Sequence, residues 1–235
     1  MSERLDAAAE PRQRWRLVVA RDRVAPDVTQ REVAAAWTEA LESAGLPLVE
    51  AGAGRGRSRV SFGAPLPVGM AADRDLIDIV LTETWPAWRV REALADHLPA
   101  GWRLIDAFDV WLGGPPLAGR VVAADYRVEL ADGPDPAALD DAARALIAAT
   151  SISRERVKGG TTVSYDLRPL LTSIAIEPGS PLLARIRTRF DPELGTGRPD
   201  EVVGALGDRI GSRLEIASVV RERLLVAEDV DDHGS

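Results

Sequence analysis

Seven residues, Gly-Gly-Pro-Pro-Leu-Ala-Gly at 113–119, divide the sequence into two stretches with the same predicted order of elements. Glycine and proline at this density interrupt helix and strand patterns alike, which makes the segment a linker. Ahead of it, Trp15, Leu17 and Val19 alternate with Arg16 and Val18 in a first strand. Thr29 and Glu32 then form a T-x-x-E box before a helix that sets Val33, Trp37, Ala40, Leu41 and Ala44 on one face. Gly45 and Pro47 end that helix. Val60 and Phe62 alternate in a short second strand, and Ile77, Ile79 and Leu81 line one side of a third. A second helix, starting near Pro86, turns Val90, Leu94 and Leu98 inward and stops at Pro99-Ala100-Gly101; residues 102–112 close the stretch as a fourth strand.

Beyond the linker the order returns. Residues 120–130 form a strand, and a helix over 136–149 buries Leu139, Ala143, Leu146 and Ile147. Strands around 161–167 and 173–177 pair or bulge ahead of a strand at 182–190. Pro199 opens a helix burying Val202, Leu206 and Ile210, and 215–226 is the closing strand. Strand, helix, strand, strand, helix, strand, occurring twice, predicts an α+β fold of two tandem ferredoxin-like (βαββαβ) repeats with antiparallel sheets. The repeats run over 12–112 and 120–227; residues 1–11 are expected to be disordered and 228–235 to form an acidic tail. The extra strand in the second half is the departure from strict duplication. Helices would cover one face of each sheet and leave the other for solvent, the other repeat or a ligand.

Three groups of basic residues occur at alternate positions. In Gly-Arg-Gly-Arg-Ser-Arg at 54–59, Arg55, Arg57 and Arg59 share a side if the extended conformation starts early. The glycines there do not fit G-x-G-x-x-G, no helix follows at once, and the G-K-[ST] of a P-loop is missing. What remains is a solvated loop or a loop contacting phosphate or a partner. Arg185, Arg187 and Arg189 share one face of their strand, opposite Ala184, Ile186, Thr188 and Phe190. Arg154, Arg156 and Lys158 repeat the pattern. Like charges stacked along a strand repel, so each row needs acidic neighbours, such as Asp125 and Glu129, or a polyanionic ligand. Both readings stay open.

Other chemistry is sparse. Asp166 and Arg168, beside Pro169, are the candidates for orienting a substrate or moving a proton, against the commoner structural salt bridge. There is no cysteine, which excludes disulfides, thiolate catalysis and cysteine-ligated clusters in this chain. His97 and His233 are the two histidines, so no metal site is expected, and no Ser-His-Asp arrangement has a local signature. Most of the tryptophans fall at core positions, whereas Trp85 and Trp88 around Pro86 are candidates for an exposed aromatic patch. Against 29 basic residues stand 37 acidic ones, four of them (Glu228, Asp229, Asp231, Asp232) in the tail. Bulk attraction to nucleic acid is therefore not expected, and binding there must use local patches. No apolar run has signal-peptide or membrane-spanning length, so no membrane partner and a cytoplasmic location are expected.

Several segments together resemble an uncharacterised family, the radical-SAM-linked proteins. They are RVSFGAPLPVG and DLIDIVLTE, then LPAGWRLIDA, ADYRVEL, SYDLRPLLTSI and GRPDEVVGAL, which keep the family's order from about Trp15 to Val226. Where relatives place a Gly-Phe-Asn-Pro-His run ahead of RVSFGAPLPVG, this chain has GAGRGRS. Members are typically encoded beside, or fused to, a cobalamin-binding radical SAM protein. The resemblance thus implies such a protein as partner, with cobalamin, the iron–sulfur cluster and S-adenosylmethionine held there and no cofactor in this chain. It implies no catalytic residue. The function expected is that of an accessory or substrate-presenting protein, with RNA or another anionic molecule as the candidate ligand. The alternatives are a stand-alone RNA-modifying enzyme and a purely structural subunit. Duplicated ferredoxin-like units also build pseudouridine synthases, but their G-R-T-D type motif is not found here.

Overall fold

The computed structural model of the chain describes residues 10–23, 29–49, 60–131, 134–158 and 160–231. Arg55, Arg57 and Arg59 lie outside the described residues, as do 1–9 and 232–235 of the two expected tails. The architecture is mixed α+β with mostly antiparallel strands, and the chain divides into two compact units on either side of the Arg120–Val121 bond.

The first unit contains β1 (Gln13–Arg21), α1 (Gln30–Ser43), β2 (Val60–Phe62), β3 (Ala71–Leu81), α2 (Ala87–Leu94) and β4 (Trp102–Val110). Its strands lie in the order β4-β1-β3-β2, every pair antiparallel. Thr29 caps α1 as the sequence predicts: its hydroxyl accepts from Glu32 N–H at 3.3 Å, and the Glu32 carboxylate accepts from Thr29 N–H at 2.6 Å. The alternating apolar positions of β1 and β3 then have a helix layer to pack on. Leu17, Val19, Ile77, Ile79 and Leu81 join Trp37, Leu41, Val90 and Leu94 in one core, with Trp37 edge-on to Trp102 at 5.3 Å. Each such leucine contributes roughly 1.5–3 kcal/mol by leaving water. The linker is more ordered than its composition suggests. Residues 117–119 form a 3-10 turn, Leu117 is fully buried, and Arg14 donates to the carbonyls of Gly114 (3.1 Å) and Pro115 (3.0 Å).

The second unit contains β5 (Val121–Leu130), α3 (Pro136–Ala148), β6 (Ser153–Lys158), β7 (Thr161–Asp166), β8 (Leu171–Glu177), β9 (Leu182–Asp191), β10 (Gly195–Thr196), α4 (Pro199–Ile210), β11 (Ile216–Val226) and α5 (Ala227–Asp231). Its main sheet runs β11-β5-β9-β8, again antiparallel, with β10 folding back on the end of β9. Leu139, Leu146, Val202 and Leu206 of the helices and Tyr126, Val128, Ala184 and Ile186 of the strands are all buried. The strands expected around 161–167 and 173–177 do not pair with each other: 161–166 pairs with 153–158 as a separate hairpin, and 171–177 pairs with β9. Packing is tight where Gly197 passes β9, since a Cβ there would lie 2.7 Å from the Leu170 carbonyl and 2.8 Å from Thr188 Cβ. Part of the expected acidic tail is the short helix α5, whose Asp229 accepts from Val226 N–H at 2.9 Å.

Candidate functional site

In β5 the buried Ala124, Tyr126 and Val128 alternate with Asp125, Arg127 and Glu129, so the strand period puts a row of charge on the sheet face away from α3 and α4. The β5–β9 register sets Asp125 opposite Arg187 and Arg127 opposite Arg185. Arg187 binds Asp125 through two nitrogens, at 2.6 and 2.9 Å, and Arg223 of β11 reaches the same carboxylate at 2.7 Å. Glu222 likewise takes two arginines, Arg127 at 2.7 Å and Arg185, while Arg185 also meets Glu177 at 3.1 Å. Burial pushes the Asp125 carboxyl up, but the bonds from Arg187 and Arg223 outweigh it and hold the group below its ordinary range. Arg185 and Arg187 are shifted the other way, chiefly by hydrogen bonds to Glu222 and Asp125 respectively. Arg189, at the end of the row, is exposed and its field acts on Asp191. The row is thus interleaved with carboxylates: Asp125 is one of the two neighbours the sequence offered, whereas Glu129 bonds Ser218 at 3.1 Å.

Asp166 and Arg168 spend their side chains on the backbone. Asp166 accepts from the N–H groups of Ile152 (2.7 Å) and Arg168 (2.9 Å), and the Ile152 bond leads in holding its carboxyl below the ordinary range. Arg168 donates to Ile147, Ala149 and Leu171 carbonyls at 2.8–3.1 Å, which satisfies the last carbonyls of α3. The hairpin that carries Arg154 and Arg156 is fastened to α4. Arg154 pairs with Asp208, Tyr165 donates to Glu201, and the Arg156 guanidinium lies 4.8 Å from the Tyr165 ring. A Cβ at Gly204 would collide with the Arg154 guanidinium. Burial and the Glu201 carboxylate both push the Tyr165 hydroxyl up.

Sequence reasoning passed over a second charged cluster. In the first unit Asp78 holds Arg16 through Nε (2.8 Å) and Nη2 (3.0 Å), and Arg14 through Nε at 2.8 Å, with all three residues buried. Its signal is the alternation of Arg14 and Arg16 with Trp15 and Leu17, which calls for a carboxylate on the neighbouring strand. Of the two tryptophans around Pro86, Trp85 is buried beneath the Arg89 guanidinium (3.7 Å) and Trp88 is 65% exposed. Among the described residues no group of three or more His, Asp or Glu is placed to hold a metal ion, and no helix is long and apolar enough to cross a membrane.

A search of curated proteins finds no match. Among solved structures the chain is similar to one in a crystal structure of a Cbf5-Nop10-Gar1 complex, at 11% identity and a TM-score of 0.46, over 88% of this chain and 48% of that one. A crystal structure of the archaeal box H/ACA sRNP Nop10-Cbf5 complex matches at 14% identity and a TM-score of 0.39, over 87% and 46%. The chain therefore spans about half the length of the chains it matches. Residues 14–199 match the family described as "Uncharacterized protein conserved in bacteria (DUF2344)", and with most of its length in that match the chain belongs to this bacterial family.

Proposed function

We propose that the chain is an accessory, substrate-presenting protein of a cobalamin-binding radical SAM enzyme, built from two ferredoxin-like repeats. The observation that carries this reading is how the polar side chains of its motif-like segments are used. Asp78, Asp125, Asp166, Arg168 and Glu201 each hold a neighbouring arginine, tyrosine or backbone group. Side chains so engaged make a scaffold, and the chemistry falls to the partner that the family resemblance implies. A chain without cysteine leaves iron–sulfur ligation to another chain, so cobalamin, the cluster and S-adenosylmethionine belong to the partner in this reading. The strand orders β4-β1-β3-β2 and β11-β5-β9-β8 support the ferredoxin-like assignment, with β6–β7 as an insertion in the second repeat.

The open face of the second unit is the presenting surface. Its ion pairs are partly exposed, and exposed pairs are worth about 0–1 kcal/mol. Arg185 and Arg187 can therefore exchange Glu222 and Asp125 for the phosphates of an anionic ligand such as RNA at little cost, and the planar arginine fork suits that exchange. The test is anaerobic purification of the tagged chain from its native host, with mass spectrometry of bound protein and sequencing of bound RNA. A cobalamin-binding radical SAM protein at fixed stoichiometry is the expected result. A chain that brings down no such protein and modifies RNA by itself would overturn the proposal in favour of the stand-alone enzyme.

A further inference from the structure

β4 ends the strand order of its unit and pairs with β1 alone among the described strands. A free edge presents unpaired N–H and C=O groups, a template for adding a strand from another chain. This edge also has apolar surface to bury: Ile105 and Phe108 are each 42% exposed, and Trp111, just past the strand, is 78% exposed. Two features blunt it. Leu104 faces Val19 and Asp106 faces Val18, which leaves Ile105 as an extra residue that breaks the register. One step further on, both backbone groups of Ala107 are occupied by side chains. Its N–H donates to Asp106 Oδ1 at 2.7 Å, and its carbonyl accepts from Arg91 Nη2 at 2.9 Å. Arg91 reaches there from α2, and the same nitrogen binds Asp106 Oδ1 at 2.7 Å. A carboxylate accepting the N–H and a guanidinium donating to the C=O supply what a neighbouring strand's backbone would supply.

We propose that the Arg91–Asp106 pair is an edge cap that keeps β4 from pairing with β4 of a second copy of this chain. A second copy is the intruder to exclude, because it brings the same apolar edge and is present wherever the protein is made. The cap works by occupying backbone positions, not by the strength of its ion pair, since both side chains are about half exposed (49% and 47%). It belongs to the first unit and does not depend on the partner's identity.

The test is the full chain carrying Arg91→Ala and Asp106→Ala, followed by sedimentation velocity over a concentration series and residue-resolved hydrogen exchange. With two backbone hydrogen bonds released, self-association should tighten about tenfold or more over the parent chain. Adding Phe108→Lys, a charge on the bared edge, should return the chain to monomer. In the parent, the Ala107 amide should exchange slowly. A folded double variant that stays as monomeric as its parent overturns the proposal, and so does a parent that already dimerises through β4. Should the double variant fail to fold, exchange in the parent decides: a protected Ala107 amide beside an unprotected Asp109 amide upholds the cap, and a fast Ala107 amide refutes it.

Discussion

The two units share a strand order and treat the sheet face beyond their helices in opposite ways. In each, one carboxylate grips two arginines: Asp78 holds Arg14 and Arg16, and Asp125 holds Arg187 and Arg223. The first trio is buried, with side-chain exposures of 7%, 5% and 2% for Arg14, Arg16 and Asp78. The second lies in partial contact with water, at 34% for Arg187, 44% for Arg223 and 18% for Asp125. Bond lengths hardly distinguish them, so what differs is solvent. A buried charge has no substitute for its partner, whereas an exposed one has water, salt or an incoming anion. The same constellation is sealed from solvent in one unit and open to it in the other, and exchange with an anion is the use we propose for the open one.

The largest effect should come from breaking the sealed trio. Asp78→Ala leaves two buried guanidinium groups uncompensated and should cost about 3–5 kcal/mol in denaturant unfolding; a loss below about 1 kcal/mol would erase the distinction between the faces. Next come the cores, which the comparison holds to be alike. Leu94→Ala in the first unit and Leu146→Ala in the second, at 0% and 2% exposure, should each cost roughly 2–5 kcal/mol. Asp125→Ala should cost no more than about 1 kcal/mol, and salt should shrink that cost while leaving the Asp78 effect in place. A pH series sharpens this smaller term. Because Asp125 titrates below its ordinary value in the folded state, its contribution is complete above about pH 4 and disappears as pH falls through the folded value. The stability gap between the parent chain and Asp125→Ala should accordingly close only under acid; a gap that widens there would contradict the assigned bonds.

Elements governed by local rules were legible in the sequence. The capping box at Thr29, the alternation in β1, β3, β5 and β9, and the burial of Leu41, Leu94, Leu146 and Leu206 all follow from residues a few positions apart. Long-range register was not legible. Arg14 and Arg16 find Asp78 more than sixty positions away, and Arg187 finds Asp125 at a separation of 62, through strand pairings that spacing alone does not specify. The β6–β7 hairpin escaped for a related reason. Arg154 and Arg156 alternate as in any strand, and only the bonds of Arg154 and Tyr165 to α4 and of Asp166 to the Ile152 N–H show why these residues are there. Asp166 and Arg168 stood out as a titratable pair because sequence shows side chains and hides the helix-end carbonyls and the backbone N–H groups of Ile152 and Arg168 that they satisfy.

The proposal that the second unit's open face exchanges its ion pairs for a ligand is tested most directly by reversing its charge in the chain expressed in its native host. The chain carrying Arg185→Glu and Arg187→Glu should fold with the circular dichroism spectrum of its parent, because both the pairs lost and the repulsions gained against Glu177, Glu222 and Asp125 are partly exposed to solvent. In anaerobic purification beside the parent chain, the account predicts that the variant loses the bound radical SAM protein, the bound RNA, or both. A folded variant that retains everything the parent retains would contradict it.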